Sequence, residues 1–167
     1  MSFTAPHSEG QLFDAARRGE VPALQAALAA GVPVDAANDK GFTALVLASY
    51  DNHLQAVRFL LDAGASPNHQ DIAGNTALMG VSFKGYLEIA RLFIERGADL
   101  NRQNGNGSTA LMFAAMFGRH DVLKLLLDAG ADKDIQDARG LSALHQAGQQ
   151  GGETTRALLG GAAQQEE

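Results

Sequence analysis

Gly41, Gly74, Gly107 and Gly140 stand 33 residues apart. Gly31, Gly64, Gly97 and Gly130 keep the same step, and so do Asn38, Asp71, Asn104 and Asp137. The stretches that begin at the first set read in register: "GFTALVLASYDNHLQAVRFLLDAGASPNHQDIA", "GNTALMGVSFKGYLEIARLFIERGADLNRQNGN", "GSTALMFAAMFGRHDVLKLLLDAGADKDIQDAR" and "GLSALHQAGQQGGETTRALLGGAAQQEE". A degenerate copy precedes them from about Ser8, "QLFDAARRGEVPALQAALAAGVPVDAAN". A period of this length limits the fold more than any composition does. It requires an array of small units that bury their apolar faces against one another.

Each copy parses the same way. Thr-Ala-Leu, or Ser-Ala-Leu in the last copy, opens a short helix whose hydroxyl is placed to cap it. Gly19, Asn52, Gly85, Gly118 and Gly151 fall where that helix must end, at a position suited to left-handed backbone. A second helix follows, with apolar residues at helical spacing: Val57, Leu60 and Leu61; Ile89, Leu92 and Phe93; Val122, Leu125 and Leu126. In the first copy Pro22 sits at the start of this helix, where proline is tolerated. An Asn/Asp/Gly-rich turn leads into the next copy. Ala44, Ala77, Ala110 and Ala143 are small enough to let neighbouring helices approach.

The Gly-x-Thr-Ala-Leu opening, the mid-repeat glycine and the "LLDAGAD" close resemble the ankyrin repeat over roughly residues 8 to 160. The resemblance implies an all-α solenoid of helix-turn-helix pairs joined by β-hairpin-like turns. The expected organisation is a flexible segment 1–7, one domain over 8–161 and a flexible tail 162–167. Its repeats would be about 8–40, 41–73, 74–106, 107–139 and 140–161. The chain departs from the family pattern in having Thr-Ala-Leu for Thr-Pro-Leu-His, with Val46, Met79 and Met112 at the histidine position. His145 alone keeps that residue, which in the family ties adjacent turns together. Thr154 and Thr155 weaken the last second helix and suggest a terminal cap with a polar outer face.

Little in the chain points to chemistry. There is no cysteine, hence no disulfide and no thiolate site. A formal charge of −6 argues against a nucleic-acid binder, which needs a basic face. No apolar run approaches the length of a membrane span and no signal peptide is evident, so the expectation is a soluble, cytoplasmic protein. No histidine pair shares a helix face, so neither a metal nor any other cofactor is expected. His53 and His120 fall at the starts of second helices, where they are expected to bond to the first turn. Arg58, Arg91 and Lys124 precede Asp62, Glu95 and Asp128 by four residues, spacing that supports ion pairs on a solvated face. "NGNGS" lacks the lysine of a phosphate loop and reads as a turn.

Candidate functional positions are those that have no packing duty in the repeat. In ankyrin-like proteins these are the turn tips and first-helix rims on the concave side. Here they include Phe42, Ile72, Asn75, Arg139 and Leu141 on the turns, and Tyr50, Asp51, Phe83, Lys84, Met116 and Phe117 on the rims. The chain has only eight Phe and two Tyr, and four of these fall on those positions. Tyr50 and Phe83 are one repeat apart and Phe117 lies 34 residues further on, so stacking would line them into a ridge. Exposed apolar ridges with aromatic anchors mark protein interfaces. The alternative is that the rings fold down onto neighbouring repeats and widen the core.

The stretch "ALMGVSFKGY", Ala77 to Tyr86, places Gly80 where the flanking copies have Leu47 and Phe113. Val81 likewise replaces Ala48 and Ala114. Volume compensation predicts that Phe113 leans over Gly80. The functional expectation is a monomeric, non-catalytic module binding a protein partner, with neither nucleic acid nor membrane. The alternatives are a small inhibitor or antidote that masks an enzyme or toxin, and, less favoured, a small-molecule binder or an enzyme.

Overall fold

Each copy of the repeat folds into two short helices, and an extended turn follows in the first four. In the computed structural model, which describes residues 8–150 and 152–160, these are α1 (Glu9–Arg18), α2 (Val21–Ala29), α3 (Ala44–Tyr50), α4 (Leu54–Asp62), α5 (Ala77–Lys84), α6 (Leu87–Glu95), α7 (Ala110–Met116), α8 (His120–Asp128), α9 (Ala143–Gln150) and α10 (Gly152–Leu158). The segments 1–7 and 161–167, expected to be flexible, lie outside the described residues, as does Gly151. The odd-numbered helices pack side by side as one layer and the even-numbered helices as a second. Among the described residues there is no strand, only an isolated bridge between Ala37 and Thr43.

Local chemistry sets the helix ends. The Thr43, Thr76 and Thr109 hydroxyls accept the backbone N–H of Val46, Met79 and Met112. Each satisfies a donor that the first turn would otherwise leave unpaired. At the other end Gly85 turns left-handed at φ 78°, and Asn52 makes the same turn at φ 61°. The two layers enclose one continuous core. Leu45, Leu78 and Leu111, one repeat apart, are each 1% exposed. Leu144 holds the same position in the last copy and is 36% exposed, since among the described residues no further helix covers it.

The turns carry a second periodic system made of backbone. The N–H groups of Ile72, Gly105 and Ala138 donate to the carbonyls of Lys40, Ala73 and Asn106, at 2.9–3.1 Å. Each bond ties one turn to the turn before it. Side chains reinforce the ladder. Gln70 Nε2 donates to the Gly74 and Gln103 carbonyls, and Gln103 Nε2 repeats this with Gly107 and Gln136. Asp35, Asn68 and Asn101 accept the N–H of Ser66, Asp99 and Asp132 in the following copy. His69 reaches back to the Gly41 carbonyl at 2.9 Å.

Several side-chain roles differ from those expected. His145 bonds through Nδ1 to the N–H and hydroxyl of Ser142, so it closes its own helix start, and His69 makes a link between turns. His53 Nε2 donates to the Arg17 carbonyl at 2.7 Å, and His120 Nε2 meets the Thr155 hydroxyl at 2.9 Å. Both histidines therefore bridge copies. Thr155 takes the place of Ile89 and Val122 and is buried, so only Thr154 faces outward. Of the three expected ion pairs, Lys124–Asp128 forms at 2.7 Å. Asp62 instead reaches Arg96 in the next copy at 2.6 Å, and Arg91 lies 3.9 Å from Glu88. These are surface pairs, each worth about 0–1 kcal/mol, so geometry and not energy decides among them.

Asp137 closes the last turn. Its Oδ1 accepts the N–H of Arg139 and Leu141, and its Oδ2 accepts from the Arg139 guanidinium and Gln146 Nε2. The Leu141 N–H foremost, then Arg139, hold its carboxyl below the ordinary value of 3.8, against the opposing effect of burial. A lowered folded-state pKa contributes stability that is present above the unfolded-state value and lost as pH falls through the folded one. Asp137→Asn should therefore lower the Tm at neutral pH, with the gap to wild type narrowing below about pH 4. A gap that stays constant with pH would contradict this account of the turn. A second expectation concerns two left-handed glycines. A Cβ at Gly64 meets nothing within 4 Å, whereas one at Gly74 would lie 2.8 Å from the Gly105 backbone nitrogen. Gly64→Ala should cost about 1–2 kcal/mol in urea unfolding, the left-handed penalty alone. Gly74→Ala should cost clearly more, because it also pries the ladder open.

Candidate protein-binding face

The last turns of α3, α5 and α7 deliver the rim residues. Tyr50 ends α3, Phe83 and Lys84 end α5, Met116 ends α7, and Phe117 follows as its cap. The Tyr50 ring leans forward onto Gly80 of the next copy. A Cβ built on Gly80 would lie 2.6 Å from Tyr50 Cε2 and 3.1 Å from Cδ2. The ring nearest Gly80 is therefore Tyr50, from the preceding copy, which volume compensation did not anticipate. Phe113 lines the hollow beside them. Phe83 meets Phe117 edge to face, with ring centroids 4.6 Å apart and planes at 86°. Such a pair adds about 0.5–1.5 kcal/mol beyond its area. Arg119 Nε donates to the Phe83 carbonyl at 2.9 Å, so the following copy also holds the Phe83 backbone.

Lys84 Nζ stands 5.8 Å from the Tyr50 ring centroid and 5.9 Å from that of Phe83. At an exposed site each cation–π contact is worth about 0.5–1 kcal/mol. Burial, and secondarily the Asp71 carboxylate, raise the Tyr50 hydroxyl above its ordinary pKa of 10.0, so the phenol stays protonated and a donor. Tyr50, Asn75, Met79, Gly80, Phe83 and Phe113 enclose a hollow of about 180 Å³ on this face.

The other candidate residues divide. Phe42 is half-buried and lines a separate, open groove of about 550 Å³ with Phe13, Arg17, Lys40 and Leu47. Ile72 stands at a turn tip and is 79% exposed. Asp51 is exposed, and Met116 and Leu141 are half-buried. Asn75 and Arg139 have partners inside the solenoid: Asn75 Oδ1 accepts from Asn104 Nδ2 at 2.8 Å, and Arg139 pairs with Asp137 at 3.0 Å. Tyr50, Phe83, Lys84 and Phe117 thus form one connected cluster, while Ile72 and Arg139 sit apart on the turn tips. The sequence reading missed Gly80 and Phe113 as parts of this face. The signal is the volume step Leu47, Gly80, Phe113 along one register position, which volume compensation assigns to the interior.

Among the described residues no group of three His, Asp or Glu side chains could hold a metal ion. No helix there is long and apolar enough to cross a membrane. Fold and face together define a helical-repeat solenoid that presents a shaped surface. A family model for ankyrin repeats (3 copies) matches residues 12–104 and 78–166, and the chain belongs to the ankyrin repeat family. A search of curated proteins finds no match. Ankyrin repeats are generally protein–protein interaction modules and are typically non-catalytic.

The contact between Tyr50 and Gly80 predicts a coupling between them. Gly80→Ala gains up to about 1 kcal/mol of helix propensity but must displace the Tyr50 ring. In a Tyr50→Ala background the same substitution no longer meets the ring. Urea unfolding should show Gly80→Ala near neutral or destabilising in wild type and stabilising by about 0.5–1 kcal/mol in Tyr50→Ala. Equal effects in both backgrounds would contradict the contact.

Proposed function

We propose that the chain is a non-catalytic module that binds a protein partner along the concave rim, with the partner lying across Tyr50, Phe83, Lys84, Met116 and Phe117. One observation carries this reading: three aromatic side chains and a lysine are held in one connected, partly exposed cluster by contacts between successive copies. Rigid aromatic anchors of this kind lose little entropy on binding and dominate interface energies. Ile72 and Leu141 extend the surface along the turn tips.

The test separates binding from folding. A partner captured from native lysate by the wild-type protein should bind Met116→Glu and Phe117→Ala at least tenfold more weakly. Circular dichroism should show both variants folded, and Phe117→Ala should lose about 1–3 kcal/mol, less than a fully buried Phe, because the ring is only half-buried. Unchanged affinity together with that loss of stability would make the ridge an extension of the core and overturn the reading.

A further inference from the structure

A hollow lies beside Gly80, under the Tyr50 ring. At the same register position Leu47 and Phe113 supply large side chains, and Gly80 supplies none. What remains is a space of about 180 Å³, with Met79 and the bare Gly80 backbone at its base and the Tyr50, Phe83 and Phe113 rings around it. Small-molecule sites usually enclose about 300–1,000 Å³, so this one suits a single side chain. Its walls are set before binding: Tyr50 rests on Gly80, and Phe83 is held by Phe117 and Arg119.

Lys84 and Asn75 place donors near the hollow. Lys84 has no carboxylate within ion-pairing distance among the described residues, and its ammonium is held over Tyr50 and Phe83, two of the rings that line the hollow. Asn75 uses its side-chain oxygen on Asn104, which leaves its amide N–H groups to donate. The nearby Asp71 carboxylate already accepts the Asn75 backbone N–H and caps its own turn. An apolar space bordered by an unmatched cation and spare donors is complementary to an apolar group next to an anion.

Resting on the concave-rim reading, we infer that this hollow is an anchor site for one aliphatic side chain of a partner's extended segment, with an adjacent Asp or Glu of that segment paired to Lys84. The aliphatic group enters the hollow between the Tyr50, Phe83 and Phe113 rings, and the carboxylate answers the positive charge of Lys84.

A random peptide display library selected on the wild-type protein tests this. Selected peptides should share an aliphatic residue next to Asp or Glu. Synthetic copies should bind Gly80→Leu and Lys84→Glu at least tenfold more weakly. Changing the peptide's acid to Lys should restore binding to Lys84→Glu, which, being exposed, folds even if Gly80→Leu does not. Peptides without that motif, peptides that bind both variants as tightly as wild type, or self-association of the protein abolished by Lys84→Glu would each overturn the inference. Peptides indifferent to both variants but lost with Met116→Glu would leave the concave-rim reading standing, so the two failures are distinguishable.

Discussion

No helix pair of this chain can bury its apolar face alone, and the bond that makes burial possible is a backbone one. A carbonyl at each turn tip accepts an N–H from the next turn, from Lys40 to Ile72, from Ala73 to Gly105 and from Asn106 to Ala138. Each bond is worth only about 1 kcal/mol net. Its effect is to hold the turns at one spacing, so that Leu45, Leu78 and Leu111 fall in line and seal one another from water. The left-handed glycine beside each rung permits the approach, since a side chain at Gly74 would collide with the neighbouring backbone.

The rim follows from the same register. Once the copies are fixed in step, a side chain at the end of one first helix must meet the start or end of the next. Where that neighbour is Gly80, the Tyr50 ring lies down on it. Where the neighbour is Phe113, the space is filled, and Phe83 turns instead to Phe117. The aromatic cluster is thus neither pure core nor free surface. Contacts between copies hold its inner edges while its outer faces stay partly open, and that combination of rigidity and exposure suits a binding surface.

Much of this was legible in the sequence because it depends on local chemistry repeated at a fixed step. The Thr43, Thr76 and Thr109 caps, the left-handed Asn52 and Gly85, and the alternation of helices and turns need only a few neighbouring residues. Contacts between copies were harder to read. Which ring covers Gly80 depends on whether Tyr50 leans forward or Phe113 leans back, and side-chain direction is not written in spacing. Asp62 has an acceptable partner four residues away and a better-placed one, Arg96, in the next copy. Thr155 stands near where Ile or Val would pack and reads as a weakening of the last second helix, but its hydroxyl can reach His120 and is tolerated at that buried position. The candidate rim positions were legible as a group, whereas their division into a connected cluster and the committed side chains of Asn75 and Arg139 required the fold.

Amide hydrogen exchange at the turn tips tests the central claim most directly. Ile72 is the most exposed large apolar residue described, and its amide belongs to a turn that would ordinarily exchange within seconds to minutes. If the ladder holds the stack in register, the amides of Ile72, Gly105 and Ala138 should be protected on the scale of the central helices, while Ala73, which donates no such bond among the described residues, exchanges fast. Exchange of all four at the same rapid rate would show that the turns are not tied together, and the account of the stack would fail.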